Sequence, residues 1–358
     1  MHILVYGAGA VGCYLGAQLI RAGNDVVFVA REETAHLING HGLAVYQSDE
    51  AHKRQAYKVQ PPVVVSLRQG LLERPAYDLI ILGMKSYSVE LAINELVAYI
   101  PEPPPMLVVQ NGVGIEEKFA EQFGAERIIS GALTTPLRQD ARNVVIEERE
   151  DRGLALAPVQ KGEKIDKWVD LFARAGILTE KHKNYQSVKW SKALVNMIGN
   201  ATSAILNRHP RVVYEHEPLF ELELEMMKEM LAVMKASRIK LVDLPGVQVN
   251  RLGFGVRRMP NFLLRPLLMK AVGEGRGDKL PSFQIDLNQG KKKNEVIYHN
   301  GAVARVAREK GIPAPVNTVL TTILLDMMNG KIDRDMFSGK PETLLKAIRQ
   351  YKQLNPNI

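Results

Sequence analysis

Three polar side chains in a largely apolar run carry chemistry by type and spacing: Lys192, Asn196 and Asn200, at i, i+4 and i+8 within residues 188–200. On one continuous helix this spacing stacks them along a single face. Val195, Met197 and Ile198 make the neighbourhood apolar. An ammonium and two amides are costly there unless something polar meets them. A lysine in such a setting can stabilise a growing negative charge and give up a proton. A solvated polar stripe on a helix surface explains the same spacing, and the two readings stay open at this level.

A second constellation lies at the start of the chain. Gly7, Ala8, Gly9, Ala10, Val11 and Gly12 follow the strand-like run Ile3 to Tyr6 and open a helical pattern from Val11 to Ala22. Gly7 permits a tight turn, Gly9 leaves room for a pyrophosphate, and Gly12 lets helix and strand pack closely. The helix N-terminus then offers free N–H groups and a positive dipole end. This strand–turn–helix context predicts a bound dinucleotide. Arg31 stands nineteen residues after Gly12, at the end of the second strand pattern, Val26 to Ala30. A guanidinium there can grip the 2′-phosphate of NADP in a bidentate contact, so NADP(H) is expected over NAD. Glu32 and Glu33 follow at once, and a shifted register would restore NAD.

Elements must hold these residues in place. Short apolar strands alternate with helical patterns through the first half, with further strands at Tyr77 to Leu82, Met106 to Val109 and Ile128-Ile129. That alternation predicts a mostly parallel sheet covered by helices. Val144 to Glu147 and Leu154 to Ala157 read as antiparallel additions at one edge. From about Asn184 the pattern is helical: Val188 to Leu206, Leu219 to Ser237, Gly290 to Lys310 and Thr318 to Asn329, with a rigid turn at 311–315. Met226, Met227, Met230 and Met234 form a stripe expected to be core packing. Residues 241–279 stand apart, rich in Gly and Pro, and read as an extra helix with surface loops or a mobile segment beside a substrate mouth. A boundary near residue 182 divides an α/β domain, 1–182, from an all-α domain, 183–358.

The length of 358 residues suits two domains, and 46% hydrophobic with 24% charged residues matches a soluble globular protein. No run approaches the roughly 18 apolar residues of a membrane span, and no signal peptide is expected from the opening residues. The lone cysteine, Cys13, excludes an intramolecular disulfide and fits a reducing compartment, hence a cytoplasmic location. The net charge of +8 is spread along the chain, which suits an anionic small molecule as well as it suits nucleic acid. Neither a nucleic-acid nor a membrane partner is expected. Lys291, Lys292 and Lys293 read as a solvated surface run.

Taken jointly, the Gly7–Gly12 turn, Arg31, Met84-Lys85, the run Gln110-Asn111-Gly112-Val113-Gly114, the Lys192–Asn196–Asn200 helix and Pro281-Ser282 with a later Glu295 resemble the ketopantoate reductases, the 2-dehydropantoate 2-reductases. The resemblance spans the chain except residues 241–279 and the C-terminal tail. It implies a Rossmann-type dinucleotide-binding domain and an all-α C-terminal domain like that of 6-phosphogluconate dehydrogenase. It implies NADPH-dependent reduction of ketopantoate to pantoate, a step of pantothenate and coenzyme A biosynthesis, with no metal. By it, Lys192 is the general acid. Lys85 and Asn111 lie at the nicotinamide end of the cofactor, Asn111 touching substrate as well. Asn196, Asn200 and Ser282 hold the substrate's hydroxyl and carboxylate. Glu295 is a carboxylate that serves both cofactor and catalysis, and residues of both halves line one cleft. A homodimer is left open.

Two departures bear on the match. Glu295 stands nine positions after Asp286, one more than in the family pattern, with three lysines between them. Residues 241–279 are longer than in compact members, which leaves room for another 2-oxo acid as substrate. A non-catalytic NADP(H) sensor is a further alternative, disfavoured because Lys192, Asn111 and Glu295 are all present. A 6-phosphogluconate-type decarboxylase calls for a clearer Arg/Lys cluster on the helical domain.

Overall fold

The unbroken apolar runs Ile3 to Val5 and Leu79 to Leu82 are wholly buried, as strands covered on both faces must be. The structure, a computed structural model, describes residues 1–48, 53–147, 149, 151–276 and 280–355. These fall into two units, Met1–Lys189 with Asp243–Val247, and Trp190–Val242 with Gln248–Ile358. The short return to the first unit is held by the Thr134 hydroxyl, which donates to the Pro245 carbonyl at 2.7 Å.

The first unit is built on an eight-stranded sheet in the order Leu178–Lys181, Gly153–Pro158, Ile128–Leu133, Met106–Val108, Leu79–Leu82, His2–Tyr6, Asp25–Val29, Val63–Val64. All neighbours are parallel except Gly153–Pro158 against Ile128–Leu133. The chain lays down His2–Tyr6, Asp25–Val29 and Val63–Val64 in one direction. It then crosses to the other side of His2–Tyr6 for Leu79–Leu82. That reversal leaves a crevice at the carboxyl ends of the two central strands, where ligands of such sheets bind.

Val144–Glu147 does not extend this sheet, contrary to the sequence pattern. It belongs to a separate four-stranded sheet, parallel to Leu43–Ser48 and antiparallel to Leu137–Ala141. Strand propensity marks a half-buried extended segment but does not name its partner. Here the partner is Leu43–Ser48, and the helix Ala10–Arg21 backs the pair: its Tyr14 hydroxyl donates to Glu147 at 2.7 Å and its side chains share a core with Leu43, Val45 and Val145.

The second unit is helical. Its longest helix, Glu217–Ala236, runs 20 residues and buries the four methionines to 1% exposure or less, the expected core role. Glu229 on its inner face accepts from the backbone N–H groups of Val316 (2.8 Å) and Asn317 (2.9 Å). It thereby caps the helix Pro315–Met328 from outside it. The helix expected from Gly290 starts ten residues later, as Asn300–Lys310, after a 3₁₀ turn Glu295–Tyr298. Gly290 has φ +65° and the Asn294 side chain accepts from Val296 N–H, so the intervening segment has its own hydrogen bonding. Lys292 and Lys293 are exposed, whereas Lys291 is half-buried and pairs with buried Asp286 at 2.6 Å. Within 241–279 the chain forms two helices, Val249–Arg258 and Asn261–Arg276, with Phe254 and Phe262 exposed. Residues 277–279 lie outside the described residues. Among the described residues no helix is long and apolar enough to cross a membrane, and no group of acidic, His and Cys side chains could hold a metal.

Candidate active site

In the first unit the site begins at the glycine turn. Gly7 has φ +109°, and a Cβ there would stand 2.5 Å from the Met84 backbone nitrogen. A Cβ on Gly12 would meet the Gly7 carbonyl oxygen at 2.1 Å. Both glycines are therefore required by the protein's own backbone. Gly9 differs: its Cβ would meet only the Gly83 carbonyl oxygen, at 3.8 Å. Nothing in the fold needs a glycine at Gly9, and the space above it is open to a ligand. Gly9 is also the N-cap of Ala10–Arg21, with no side-chain cap and no acidic residue in the first turn. The first N–H groups of this helix therefore receive no side-chain acceptor from their own N-cap, which suits an anion. Ala8 lies in the same half-exposed loop.

Arg31 caps the start of the helix Glu32–His41 and is exposed at the end of Asp25–Val29. Of its acidic neighbours, Glu33 is paired with Arg142 at 2.6 Å. Two further loops leave the carboxyl ends of the adjoining strands. Lys85, exposed, precedes the 3₁₀ turn Ser86–Ser88, and Asn111, exposed, follows Met106–Val108. The buried Ser86 hydroxyl donates to the Asn111 carbonyl at 2.9 Å and ties these loops together.

Lys189, which sequence reasoning passed over, secures the second loop. It is 3% exposed, donates to the Gln110 carbonyl at 2.5 Å and pairs with Glu116 at 2.9 Å. Glu116 also accepts from the Ser130 hydroxyl at 2.7 Å. A buried ion pair with its remaining lone pairs satisfied fixes geometry more than it adds stability. Beside it, burial and the Glu116 charge push the Glu117 carboxyl above its ordinary range, against the Tyr185 hydroxyl and Lys189. A signal was present in the sequence: Lys189 shares its helical phase with Ala193 and Met197, both 1% exposed.

In the second unit, Lys192 and Asn196 are half-buried on the helix Tyr185–Met197. Asn200 is not on that helix, so the continuous three-residue stripe is corrected. The helix stops at Met197, Gly199 takes φ +59°, and Asn200 becomes the N-cap of Ala201–Leu206. The break is tightly packed, since a Cβ on Gly199 would come within 2.9 Å of the Pro210 ring, and its positive φ suits glycine. Asn200 is 4% exposed and fully engaged. Its Oδ1 accepts from Phe283 N–H at 3.2 Å, and its Nδ2 donates to the Asn196 carbonyl at 3.2 Å and to the Ser282 hydroxyl at 3.3 Å. Ser282, exposed, is the first residue of the helix Ser282–Asn288. Asn196, Asn200 and Ser282 are thus brought together, with Asn200 as the link. Glu295 opens its 3₁₀ turn at 4% exposure.

A carboxylate the sequence reading missed supports the break. Glu223, 0% exposed, accepts from Gly199 N–H at 2.7 Å, the Thr202 hydroxyl at 2.6 Å and the Tyr214 hydroxyl at 3.0 Å. Its phase was readable, three residues after Phe220 and four before Met227, both core.

Comparison with known proteins bears on both units. Residues 3–156 match the family described as ketopantoate reductase PanE/ApbA, and residues 184–327 match its C-terminal counterpart. A 2-dehydropantoate 2-reductase of Pyrococcus abyssi is 29% identical over 89% of this chain and 95% of its own. A PanE/ApbA family ketopantoate reductase from Ralstonia eutropha JMP134 shares the fold, with a TM-score of 0.74 and 24% identity over 92% of this chain and 99% of that one. So does a D-mandelate dehydrogenase solved with NADH and anilino(oxo)acetate, with a TM-score of 0.76 and 21% identity over the same shares.

Proposed function

The chain belongs to the ketopantoate reductase family and is an oxidoreductase acting on CH–OH groups, and from that premise we propose that it reduces ketopantoate to pantoate with NADPH in the cytoplasm, Lys192 serving as general acid. The observation that carries the reading is Lys192 half-buried one turn before Asn196, on a helix whose end is tied through Asn200 to Ser282.

The glycine turn fits a dinucleotide: Gly7 and Gly12 are needed by the backbone, while Gly9 leaves space at an uncapped helix start. Gly7 to Gly12 would hold the pyrophosphate, Arg31 the 2′-phosphate, and Lys85, Asn111 and Glu295 the nicotinamide end. A bound NADPH supplies the hydride. As the carbonyl carbon is reduced, negative charge grows on its oxygen, and the Lys192 ammonium stabilises that charge and delivers the proton. Ser282 accepts from Asn200, which leaves its own hydroxyl proton to donate to the substrate carboxylate or hydroxyl. Asn196 presents its amide from the same helix as Lys192, and Asn111 presents a second amide to the substrate. These groups act chiefly by orientation, which converts binding energy into rate.

The test is NADPH consumption with ketopantoate set beside a panel of other 2-oxo acids, anilino(oxo)acetate included, and repeated with NADH. The expected result is fastest turnover with ketopantoate and NADPH. Preference for a different 2-oxo acid would move the substrate but keep the chemistry, and no reduction of any 2-oxo acid would end the reading.

A further inference from the structure

We propose that Glu223 is a positioning residue of the 2-oxo acid site, holding the helix break that aims Asn200 and, through it, Ser282. The inference rests on the reading of Asn196, Asn200 and Ser282 as substrate contacts. A carboxylate at 0% exposure on a helix face between Phe220 and Met227 is unfavourable unless donors meet it. Donors from the break and from what packs on it meet this one. Oε2 accepts from Gly199 N–H (2.7 Å) and the Tyr214 hydroxyl (3.0 Å), and Oε1 accepts from the Thr202 hydroxyl (2.6 Å). Gly199 lies in the break, Thr202 on the helix after it, and Tyr214 on the short helix Pro210–Glu215.

The Gly199 N–H is the decisive donor. A helix that stops inside a core leaves backbone groups that must be paired. With Gly199 at φ +59°, its N–H has left the helical ladder and finds Glu223 instead. The next residue is Asn200, whose side chain spans Asn196, Ser282 and Phe283. Fixing the Gly199 peptide therefore fixes the direction of the Asn200 side chain. That side chain in turn sets where the Ser282 hydroxyl stands. An apolar residue at 223 of equal length leaves the Gly199 N–H unpaired and frees the break to turn. Glutamine can keep it: its oxygen accepts from Gly199 and Tyr214, and its amide donates to the Thr202 oxygen once that hydroxyl rotates.

The experiment compares wild type, Glu223→Met, Glu223→Gln and the double variant Glu223→Gln/Thr202→Val in steady-state kinetics with ketopantoate and NADPH, alongside thermal melting. Glu223→Met should raise KM for the 2-oxo acid about 10- to 100-fold while KM for NADPH stays put, and Glu223→Gln should remain within about threefold of wild type. The double variant leaves the glutamine amide without its acceptor and should approach the methionine variant. It keeps the proposal testable if Glu223→Met does not fold. Unchanged substrate KM in both Glu223→Met and the double variant overturns the proposal. So does an equal loss toward cofactor and substrate together with a lowered melting point, the signature of a merely structural residue. Wild type inactive on every 2-oxo acid would instead sink the functional reading, and this inference with it.

Discussion

The two units build their candidate binding surfaces from opposite materials. In the first, the glycine turn offers main-chain N–H groups at a helix start, and the side chains contribute by being absent. In the second, the surface at the helix break is made of side chains, Asn200 and Ser282, held in register by buried side-chain acceptors. A main-chain surface is sensitive to one added carbon. A side-chain surface tolerates small changes of volume but not the loss of a hydrogen-bond partner. Variants that separate the two behaviours test the comparison directly.

The largest effect is expected at Lys192. Lys192→Ala should cut turnover by about 10²–10⁴-fold with little change in NADPH affinity. Lys192→Arg should fail almost as badly, because it keeps the charge but does not readily release a proton. An alanine variant with intact kcat and a raised KM would recast Lys192 as an anchor for the substrate carboxylate.

Next comes Arg31, a side-chain contact attached to the main-chain site. Arg31→Ala should weaken NADPH binding by about 10- to 100-fold and NADH binding far less. Fluorescence titration of both cofactors decides this, and equal losses would remove Arg31 from the 2′-phosphate.

The glycines sharpen the contrast within one turn. Gly12→Ala drives a Cβ into the Gly7 carbonyl, 2.1 Å away, and should destabilise the fold by about 1–3 kcal/mol. Gly9→Ala meets nothing closer than 3.8 Å and should leave the melting temperature in place. Any loss of NADPH affinity in Gly9→Ala then reports the ligand rather than the fold. A Gly9→Ala protein that binds NADPH as wild type does would argue against a pyrophosphate at that point.

The smallest effect concerns pH. Burial pushes the Glu229 carboxyl from 4.5 up to about 7, against the N–H groups of Asn317 and Val316 that favour its charged form. Because the folded value lies above the unfolded one, the folded chain keeps a proton that the unfolded chain has already released. The stabilising contribution is full below about pH 4.5 and is lost as pH rises to about 7. Melting temperature should therefore decline across that window, and Glu229→Gln should flatten the slope. An unchanged slope in the glutamine variant would assign the pH dependence elsewhere.

The parts of the molecule legible in sequence are those whose cause is local. The Gly7–Gly12 turn, the strands around it and the methionine stripe of Glu217–Ala236 each follow from a few residues of fixed spacing. The parts that misled depend on partners far along the chain. Val144–Glu147 reads as a strand on its own, but Leu43–Ser48, about a hundred residues earlier, decides which sheet it joins. The stripe of Lys192, Asn196 and Asn200 reads as one helix face, but the helix ends at Met197 and Gly199, at φ +59° beside Pro210, turns the chain before Asn200.

Lys189 and Lys192 show where that division falls. They stand one turn apart on the same helix, and helical periodicity puts Lys189 in phase with Ala193 and Met197 without naming its partners. The sequence by itself determined that a helix would carry both, along with Asn196. Only the tertiary structure decided that Lys189 would be spent on Gln110 and Glu116 at 3% exposure while Lys192 stayed half-exposed. The physical reason is that periodicity sets which way a side chain points, whereas its burial and its partners are set by whatever other elements pack against that face.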